Sequence, residues 1–378
     1  MSTPTPLRSF LGGVGLSLPI YSLTVLNGNV FGISGFLHRT VRGNREAASG
    51  VIGLIAGGIF AGLVESHVQA RELAQSLTIL PSPLLLFSGF LVGLGTKMAN
   101  GCTSGHMLAG ISRLSKRSII STAIFFTFGS LTARAIHGKA LPNSKPPFWG
   151  VDETSQILLL VQAVPLAISA FLYFRYSSSS ATGTFKNIST ERERPSETTV
   201  FQTANSVGRL FTYFITALEF GLALRVSDLS NPLKVLSFLV LPLPLSSPHR
   251  GFDPSLAFLA ASALPLSLAF YQFGVKPLYT KAEDGTLVEP RPRLGGKWSI
   301  PRPDQGKIDA RLILGSALFG VGWGLAGVCP GPALVNLGRS IVHFLQHGTL
   351  DRFGFGNSHG LAESLTWLCA FVLGGSLT

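Results

Sequence analysis

Two glycine-rich stretches, KMANGCTSGHML (97–108) and GLAGVCPGPALV (324–335), interrupt long apolar sequences and decide how this chain folds. Each holds one cysteine, Cys102 in the first and Cys329 in the second, although the chain has only three cysteines in 378 residues. Glycine and proline disrupt a helix that the apolar residues around them would otherwise continue. The two cysteines are therefore predicted to lie at helix breaks.

The residues around each cysteine predict the end of one helix and the start of the next. Asn100 and Gly101 favour a helix end, because they tolerate the left-handed backbone of a C-cap. Thr103 or Ser104 can cap the helix that follows. In the second stretch, Pro330 is preset for the first turn of a helix, where its missing N–H is not needed. Each cysteine thus stands beside the N-terminus of a new half-helix.

The composition predicts a membrane protein. Hydrophobic residues make up 46% of the chain and charged residues only 13%, whereas a soluble domain has about 25% charged residues. A helix needs about 20 mostly apolar residues to cross a bilayer. Charge-free stretches that meet or approach this length occur at 9–37, 47–64, 73–96, 118–133, 154–174, 254–274 and 312–338. We expect an all-α, multi-pass integral membrane protein of about 9–11 hydrophobic helices, some of them broken or half-length, in the plasma membrane.

The positive charge has a simple interpretation in such a protein. Thirty Lys and Arg residues outnumber eighteen Asp and Glu residues, for a net charge of +12. The basic residues fall mostly in short loops such as 38–45 and 113–117, as the positive-inside tendency predicts, and attraction of anions to a pore mouth is a second interpretation. Lipid is the expected partner and nucleic acid is not. The cysteines form no CxxC pair, so neither a metal site nor a cofactor is expected.

The chain divides into two hydrophobic halves. Residues 177–204 are rich in Ser, Thr and charge, and they predict a disordered linker. The linker separates a first membrane half, 1–176, from a second, 205–378, which contains a polar loop at 276–311. These boundaries give two membrane domains in one chain.

The two halves contain similar motifs. A constant shift of 227 residues aligns Cys102 with Cys329 and Gly93 with Gly320. Between the motifs, five candidate crossings occur at 118–136, 154–174, 210–224, 235–245 and 256–273. An odd number of crossings would turn one copy upside down with respect to the other. We therefore expect two pseudo-symmetric, inverted repeats with a substrate site at mid-membrane.

The breaks predict a site for a small anion. A helix N-terminus offers free N–H donors and a partial positive charge, and thiols add weak, polarizable donors that suit a sulfur-bearing anion. No catalytic residue is expected. Lys97 either draws the anion inward or extends to the interface, and His106 either donates to the anion or caps the turn. The expected binding residues are Cys102, Cys329, Gly101, Thr103, Ser104, Gly105, His106, Lys97 and Gly331.

The same motifs resemble the YeeE/YedE family of sulfur-compound transporters. GFLVGLGTKMANGCTSGHMLAGISRLSKRS (89–118) is similar to the family signature, and GSALFGVGWGLAGVCPGPALVNL (315–337) to a small companion protein, so the chain resembles a fusion of the two. The resemblance implies thiosulfate uptake through an hourglass-shaped helical protein, with Cys102 and Cys329 among the central cysteines. Family members have another cysteine in the first span, whereas the corresponding stretch here, NGNVFGISG (27–35), has none.

Two classes of function follow. The first is a transporter, not an enzyme, that passes a small sulfur-containing anion, thiosulfate above others, through a constriction lined by cysteines. The second is a membrane sulfurtransferase that forms a persulfide on Cys102 or Cys329, or an accessory subunit of a sulfur-transport system. A sulfurtransferase needs a thiolate with a partnered base, and His106 is the nearby candidate.

Overall fold

The computed structural model describes residues 3–68, 82–139, 141, 145–176, 206–241, 251–280, 291–301, 306–347 and 360–378. The predicted linker, 177–204, lies outside the described residues, and so do residues 281–290 and 302–305 of the predicted polar loop. The parts of the chain that the structure describes fold into helices without a strand, apart from an isolated bridge between Asn29 and Ser299. The fold class is therefore all-α, as predicted.

The helices are labelled in chain order. They are α1 (Pro6–Asn27), α2 (Ile33–Val41), α3 (Arg45–Val68), α4 (Ser82–Ala99), α5 (Lys116–His137), α6 (Glu153–Arg175), α7 (Ser206–Val226), α8 (Pro232–Leu239), α9 (Ser255–Ala269), α10 (Ala310–Ala326), α11 (Pro330–His347) and α12 (Leu361–Ser376). Two π-helical turns, Thr103–Leu108 and Phe270–Val275, continue as the short helices Ala109–Ile111 and Lys276–Thr280. Residues 103–111 are called the first half-helix below.

Eight helical segments of the described residues are long and apolar enough to cross a membrane. Two of them, Pro83–Ile111 and Ala310–Gln346, contain the cysteine breaks, and the shorter apolar helix α12 brings the number of candidates to nine. Large apolar side chains stand on the outside of the bundle, where Leu160 is 72% and Phe273 83% exposed. A multi-pass membrane protein with 9–11 hydrophobic helices, some broken, is confirmed.

Two predicted spans differ in the structure. Where a crossing is expected at 235–245, the described residues form only α8, which has eight residues and is about 12 Å long. Residues 242–245 lie outside the described residues. Asn231 caps its N-terminus by accepting a hydrogen bond from the backbone N–H of Leu233. The apolar stretch 9–37 is divided into α1 and α2 by Gly28, which has a positive φ of 72°. Four long helices of the described residues separate the cysteine motifs, and because four is an even number this count does not support the inverted repeat, which stays a prediction.

Glycines allow the helices that lead to the two cysteines to touch. A Cβ atom added to Gly95 of α4 would stand 2.4 Å from the backbone nitrogen of Phe319 in α10, and one added to Gly315 of α10 would stand 2.6 Å from the backbone nitrogen of Ala99 in α4. Small residues permit such close approach of helices in a membrane. The two helices run antiparallel, because Ala99 at the end of α4 faces Gly315 near the start of α10, while Ser88 near the start of α4 donates to the carbonyl of Gly322 near the end of α10.

Candidate functional site

The first break follows the end of α4. Asn100 has a left-handed backbone with φ of 59°, and Cys102 is extended before the first half-helix begins. A Cβ added to Gly101 would stand 2.7 Å from Nε2 of His106, so only glycine leaves room for the imidazole. The break thus has the helix end at Asn100 and Gly101 that the sequence predicts.

The second break follows the end of α10. Gly327 has a positive φ of 67°, and its N–H donates to the carbonyl of Trp323 in a C-cap. The next helix, α11, begins at Pro330 as predicted. A Cβ on Gly327 would stand 2.5 Å from the carbonyl oxygen of Pro232, so this break packs directly against the N-terminus of α8.

The two cysteine breaks meet inside the protein. Cys102 and Cys329 are 1% and 5% exposed. The hydroxyl of Thr103 lies 3.6 Å from Sγ of Cys329, and Sγ of Cys102 lies 3.3 Å from the hydroxyl of Ser104. Ser104 also accepts a hydrogen bond of 3.1 Å from the N–H of Ile33, the first residue of α2. The chain between α1 and α2 is therefore a third break that reaches the same place.

Both thiols line one cavity with an empty volume of about 690 Å³. Its polar atoms are few and come mainly from the breaks, including Thr103, Ser104 and the backbone at Gly331. The remaining wall is apolar, with four aromatic residues among thirteen, and it consists of Ile33, Met107, Leu108, Phe126, Phe220, Leu224, Leu229, Phe238, Leu256, Leu259, Ala260, Trp323 and Pro332. An apolar cavity with a few convergent polar groups is typical of a small-molecule site.

A second, open cavity of about 1600 Å³ lies on the other side of the first half-helix. It is called the basic vestibule here, because five Lys or Arg residues and no Asp or Glu are among the described residues that line it. The basic residues are Arg39, Arg42, Lys97, Arg113 and Arg117. Such a concentration of one sign of charge raises the local concentration of anions.

The structure divides the predicted site residues between these two cavities. Cys102, Cys329, Thr103, Ser104 and Gly331 line the apolar cavity. The other four predicted residues, Lys97, Gly101, Gly105 and His106, line the basic vestibule. The first half-helix contributes residues to both walls, so it forms the partition between the two spaces.

His106 holds this partition in place. Its Nε2 lies 3.2 Å from the carbonyl oxygen of Ala99 and its Nδ1 lies 3.2 Å from the hydroxyl of Ser118. A carbonyl oxygen can only accept, so Nε2 carries the proton and Nδ1 accepts from Ser118. Both ring nitrogens are thus engaged, and His106 ties the half-helix to the end of α4 and to α5. Of the two interpretations of His106, the geometry favours the cap.

Sequence reasoning missed a fourth break, between α7 and α8. Leu224 near the end of α7 and Leu229 within this break line the apolar cavity. The available signal was the pair Asn231 and Pro232, which combines a capping residue with a proline preset for the first helical turn. It also missed the vestibule arginines of α2, Arg39 and Arg42, because loop charge alone does not identify which loops converge.

Buried charges surround the loop between α7 and α8. The carboxylate of Asp228 forms ion pairs with Arg8, Arg225 and Lys234. The nitrogen–oxygen distances are 2.6, 2.9 and 3.1 Å respectively. Burial by itself raises the pKa of Asp228, but Arg8, Lys234 and Arg225 outweigh it and hold that pKa well below its usual range. The network continues through Asp152, Asp253, Glu65 and Arg339. It contains the N-terminal end of α1 and so lies at the opposite end of that helix from the basic vestibule.

The third cysteine lies apart from the site. Cys369 is exposed on α12, and it is not among the residues that line either cavity. The plain apolar sequence around it predicts this, since no turn-forming residue breaks the helix there.

Long apolar helices that enclose a buried cavity, with a charged vestibule beside it, have the architecture of a multi-pass membrane transporter. Residues 6–132 match the sequence family described as "Sulphur transport", and residues 209–346 match a family of unknown function, DUF6691. The chain belongs to the sulphur-transport family and is a membrane transporter of sulphur compounds. The resemblance found in the sequence is thereby confirmed.

Relatives of this chain have been described as transporters. A "Probable transporter" of Xylella fastidiosa (strain 9a5c) is 41% identical over 125 residues, which are 32% of this chain and 89% of that protein. A second "Probable transporter" of the same strain is 37% identical over 132 residues, which are 35% of this chain and 77% of that protein. No solved structure matches the chain.

Proposed function

We propose that this protein takes up thiosulfate, which passes from the basic vestibule to the apolar cavity and there accepts hydrogen bonds from Cys102 and Cys329. The observation that carries the proposal is the meeting of the two breaks, since Thr103 beside one cysteine lies 3.6 Å from the thiol of the other. A small anion in the cavity would therefore meet both thiols together.

The chemistry of the cavity favours thiosulfate over a more strongly hydrated oxyanion such as sulfate. Its wall is mostly aliphatic and aromatic, so an anion that enters loses most of its water, and a polar group without compensating hydrogen bonds is costly to bury. Thiosulfate has a terminal sulfur that is larger and softer than oxygen, and the polarizable thiols of Cys102 and Cys329 suit it. Neutral thiols are required, because thiolates would repel a dianion.

The two breaks add electrostatic support. The thiol of Cys329 interacts with the backbone N–H of Gly331 in the first turn of α11, where free N–H groups favour anions. The hydroxyl groups of Thr103 and Ser104 stand beside the thiols. These groups give an anion several donors without a fixed positive charge in the cavity, so binding stays weak enough for release.

The vestibule supplies attraction over a longer distance. None of the described residues in the same wall is acidic, so its five cationic side chains collect anions before the partition. Lys97 belongs to this wall and on this proposal draws the anion inward. The site thus works in two stages. The anion is first attracted by the charges of the vestibule and then accepts hydrogen bonds from the thiols of the apolar cavity. We place the protein in the plasma membrane.

The sulfurtransferase alternative has less support. Persulfide formation needs a base that activates the thiol, and His106 is the candidate nearest in sequence. Both of its ring nitrogens are engaged, by Ala99 and Ser118, and it lines the vestibule while Cys102 lines the other cavity. The geometry therefore favours passage of an intact anion.

Substrate competition tests the proposal. The purified full chain is reconstituted in liposomes, and uptake of radiolabelled thiosulfate is measured with an excess of unlabelled thiosulfate, sulfite or sulfate. We expect saturable uptake that thiosulfate suppresses and sulfate leaves nearly unchanged. Equal suppression by sulfate, or no uptake beyond that of empty liposomes, would contradict the proposal.

A further inference from the structure

A carboxyl group lies inside the membrane-crossing part of α7. Glu219 is 0% exposed, and neither of its carboxyl oxygens has a hydrogen-bond partner among the described residues. An isolated carboxylate ion in such a place is strongly disfavoured relative to the neutral acid. Ionisable residues within membrane spans usually mark ion pathways and proton relays rather than packing. Glu219 therefore needs a functional explanation.

No ion pair provides that explanation. Helices α1, α3, α6 and α11 pack against α7, and no charged side chain acts on the Glu219 carboxyl. Most charged residues of these helices stand near the helix ends, and Arg339 stands in the middle of α11. Arg8, Glu65 and Arg339 belong to the buried network, and Glu46 pairs with Arg209. The others, which are exposed or only partly buried, are Arg45, His67, Glu153, Arg175 and His343. Among the described residues, Glu219 thus has no counter-ion to hold it charged.

The Glu219 carboxyl belongs to a helix that forms part of the wall of the apolar cavity, although Glu219 is not itself among the residues that line it. Phe220, the next residue of α7, lines that cavity together with Leu224. One helical step turns the side chain of Glu219 by about 100° from Phe220. Leu222 of the same helix packs with Leu158 of α6, so Glu219 lies between the cavity face and the α6 face of α7. Gain or loss of a proton there changes the packing of a helix that forms the cavity wall.

The same group of helices contains a second buried polar atom without a partner. Gln162 of α6 donates through Nε2 to the carbonyl of Gly15 in α1, while its Oε1 has no partner among the described residues. Helices α1, α6 and α7 pack on one another. A protonated carboxyl has an O–H to donate and an ionised one does not. An acceptor is therefore present in this helix group for the protonated form of Glu219.

We propose that Glu219 is a proton-binding site that couples thiosulfate entry to entry of a proton. This inference rests on the proposed function. Each transport cycle moves one dianion and one proton in the same direction. The Glu219 carboxylate takes a proton from water on one side and becomes the neutral acid, and it returns that proton to water on the other side. No bond to thiosulfate forms and nothing is oxidised or reduced.

Two measurements in liposomes test the coupling. Potassium with valinomycin holds the membrane potential at zero, and an inward proton gradient of about one pH unit is imposed. A pH-sensitive dye inside the liposomes reports proton entry, and radiolabelled thiosulfate reports both accumulation and exchange with internal unlabelled thiosulfate. Glu219→Gln removes the titratable group with little change in shape. Glu153→Gln, at the exposed start of α6, is the matched control.

The results for wild type and Glu153→Gln are expected to agree. Both accumulate thiosulfate about tenfold, the limit for one coupled proton and one pH unit, and both acidify the interior when thiosulfate is added. Glu219→Gln is expected to retain exchange but to lose accumulation and acidification. Accumulation by Glu219→Gln equal to that of wild type, or no proton entry with thiosulfate in wild type, would overturn the proton site.

Failure of the proton site can be distinguished from failure of the proposed function. Wild type that does not exchange thiosulfate at all contradicts the transport proposal itself. If Glu219→Gln loses exchange as well as accumulation, Glu219→Asp is measured next. This variant retains a carboxyl group, so it distinguishes a proton-binding role of Glu219 from a purely structural one. Accumulation by Glu219→Asp with a shifted pH dependence supports the proton site, and a pH dependence identical to that of wild type contradicts it.

Discussion

The hydroxyl of Thr103 lies 3.6 Å from the thiol of Cys329, although 226 residues separate them along the chain. This contact joins the break after α4 to the break after α10. The relationship explains why two glycine-rich turns, far apart in sequence, form one wall of a single cavity.

Removal of the Thr103 hydroxyl should slow transport. Thr103→Val keeps the shape of the side chain but deletes its contact with Cys329. Loss of one hydrogen bond costs about 1 kcal/mol, which corresponds to about a fivefold lower initial rate of thiosulfate uptake. Thr127→Val is the matched control, because Thr127 bonds only within α5 on an exposed face. An equal rate in the two variants would contradict a role for the hydroxyl.

The basic vestibule should determine uptake at low substrate concentration. Arg42→Gln removes one of its charges and should raise the KM for thiosulfate severalfold with little change in the maximal rate, because the charge attracts anions before the partition. Uptake by wild type should also fall more steeply with added salt than uptake by the variant. Kinetics at two salt concentrations measure both effects.

A control for this experiment lies at the end of α6. Arg175→Gln removes the same charge from an exposed position that does not line the vestibule. Its KM should match that of wild type. If both variants raise the KM equally, net charge rather than the vestibule is responsible.

Gly105 should be intolerant of larger side chains for a functional reason. It lines the vestibule on the first half-helix, and an added Cβ there meets nothing within 4 Å. Gly105→Val should therefore fold normally but obstruct the approach to the partition, with a severalfold loss of uptake. Gly360→Val, which also meets no neighbour, controls for the substitution itself. Uptake and the yield of folded protein are measured together, and normal uptake by Gly105→Val would show that the anion enters elsewhere.

How far the sequence predicts this structure depends on the range of the interactions. The break at Cys102 follows from local chemistry, since Asn100 and Gly101 can adopt the backbone that ends a helix, and the predicted end is confirmed. The short helix α8 was mistaken for a crossing, because apolar residues after Pro232 look the same in a half-helix and in a span. The vestibule arginines Arg39 and Arg42 depend on which loops converge, which no local pattern encodes.

The separation of the site residues into two cavities was also beyond the sequence. Gly105 and Ser104 are neighbours in the chain, yet one lines the vestibule and the other the apolar cavity. Successive residues of a helical turn point in different directions, so a compact motif can form two walls. The prediction grouped them because their spacing suggested one site.

The buried charge network should stabilise the fold. Glu65 is 1% exposed and pairs with both Arg225 and Arg339. Glu65→Gln would take the Glu65 carboxylate from both guanidinium groups and leave Arg225 paired with Asp228 alone, and breaking a buried pair costs about 3–5 kcal/mol. The free energy of unfolding in detergent should fall by about this amount, whereas Glu153→Gln at an exposed site should change it little. Equal stability of the two variants would mean that solvent or lipid compensates for the lost pair.

The proposed transport depends above all on the two buried thiols acting on the same anion. The most direct measurement is the initial rate of radiolabelled thiosulfate uptake by Cys102→Ala, Cys329→Ala and Cys369→Ala, with equal amounts of folded protein in the membrane. Uptake should be nearly abolished in the first two variants and unchanged in the third, because Cys369 is exposed on α12. Wild-type rates in all three variants would contradict the central claim.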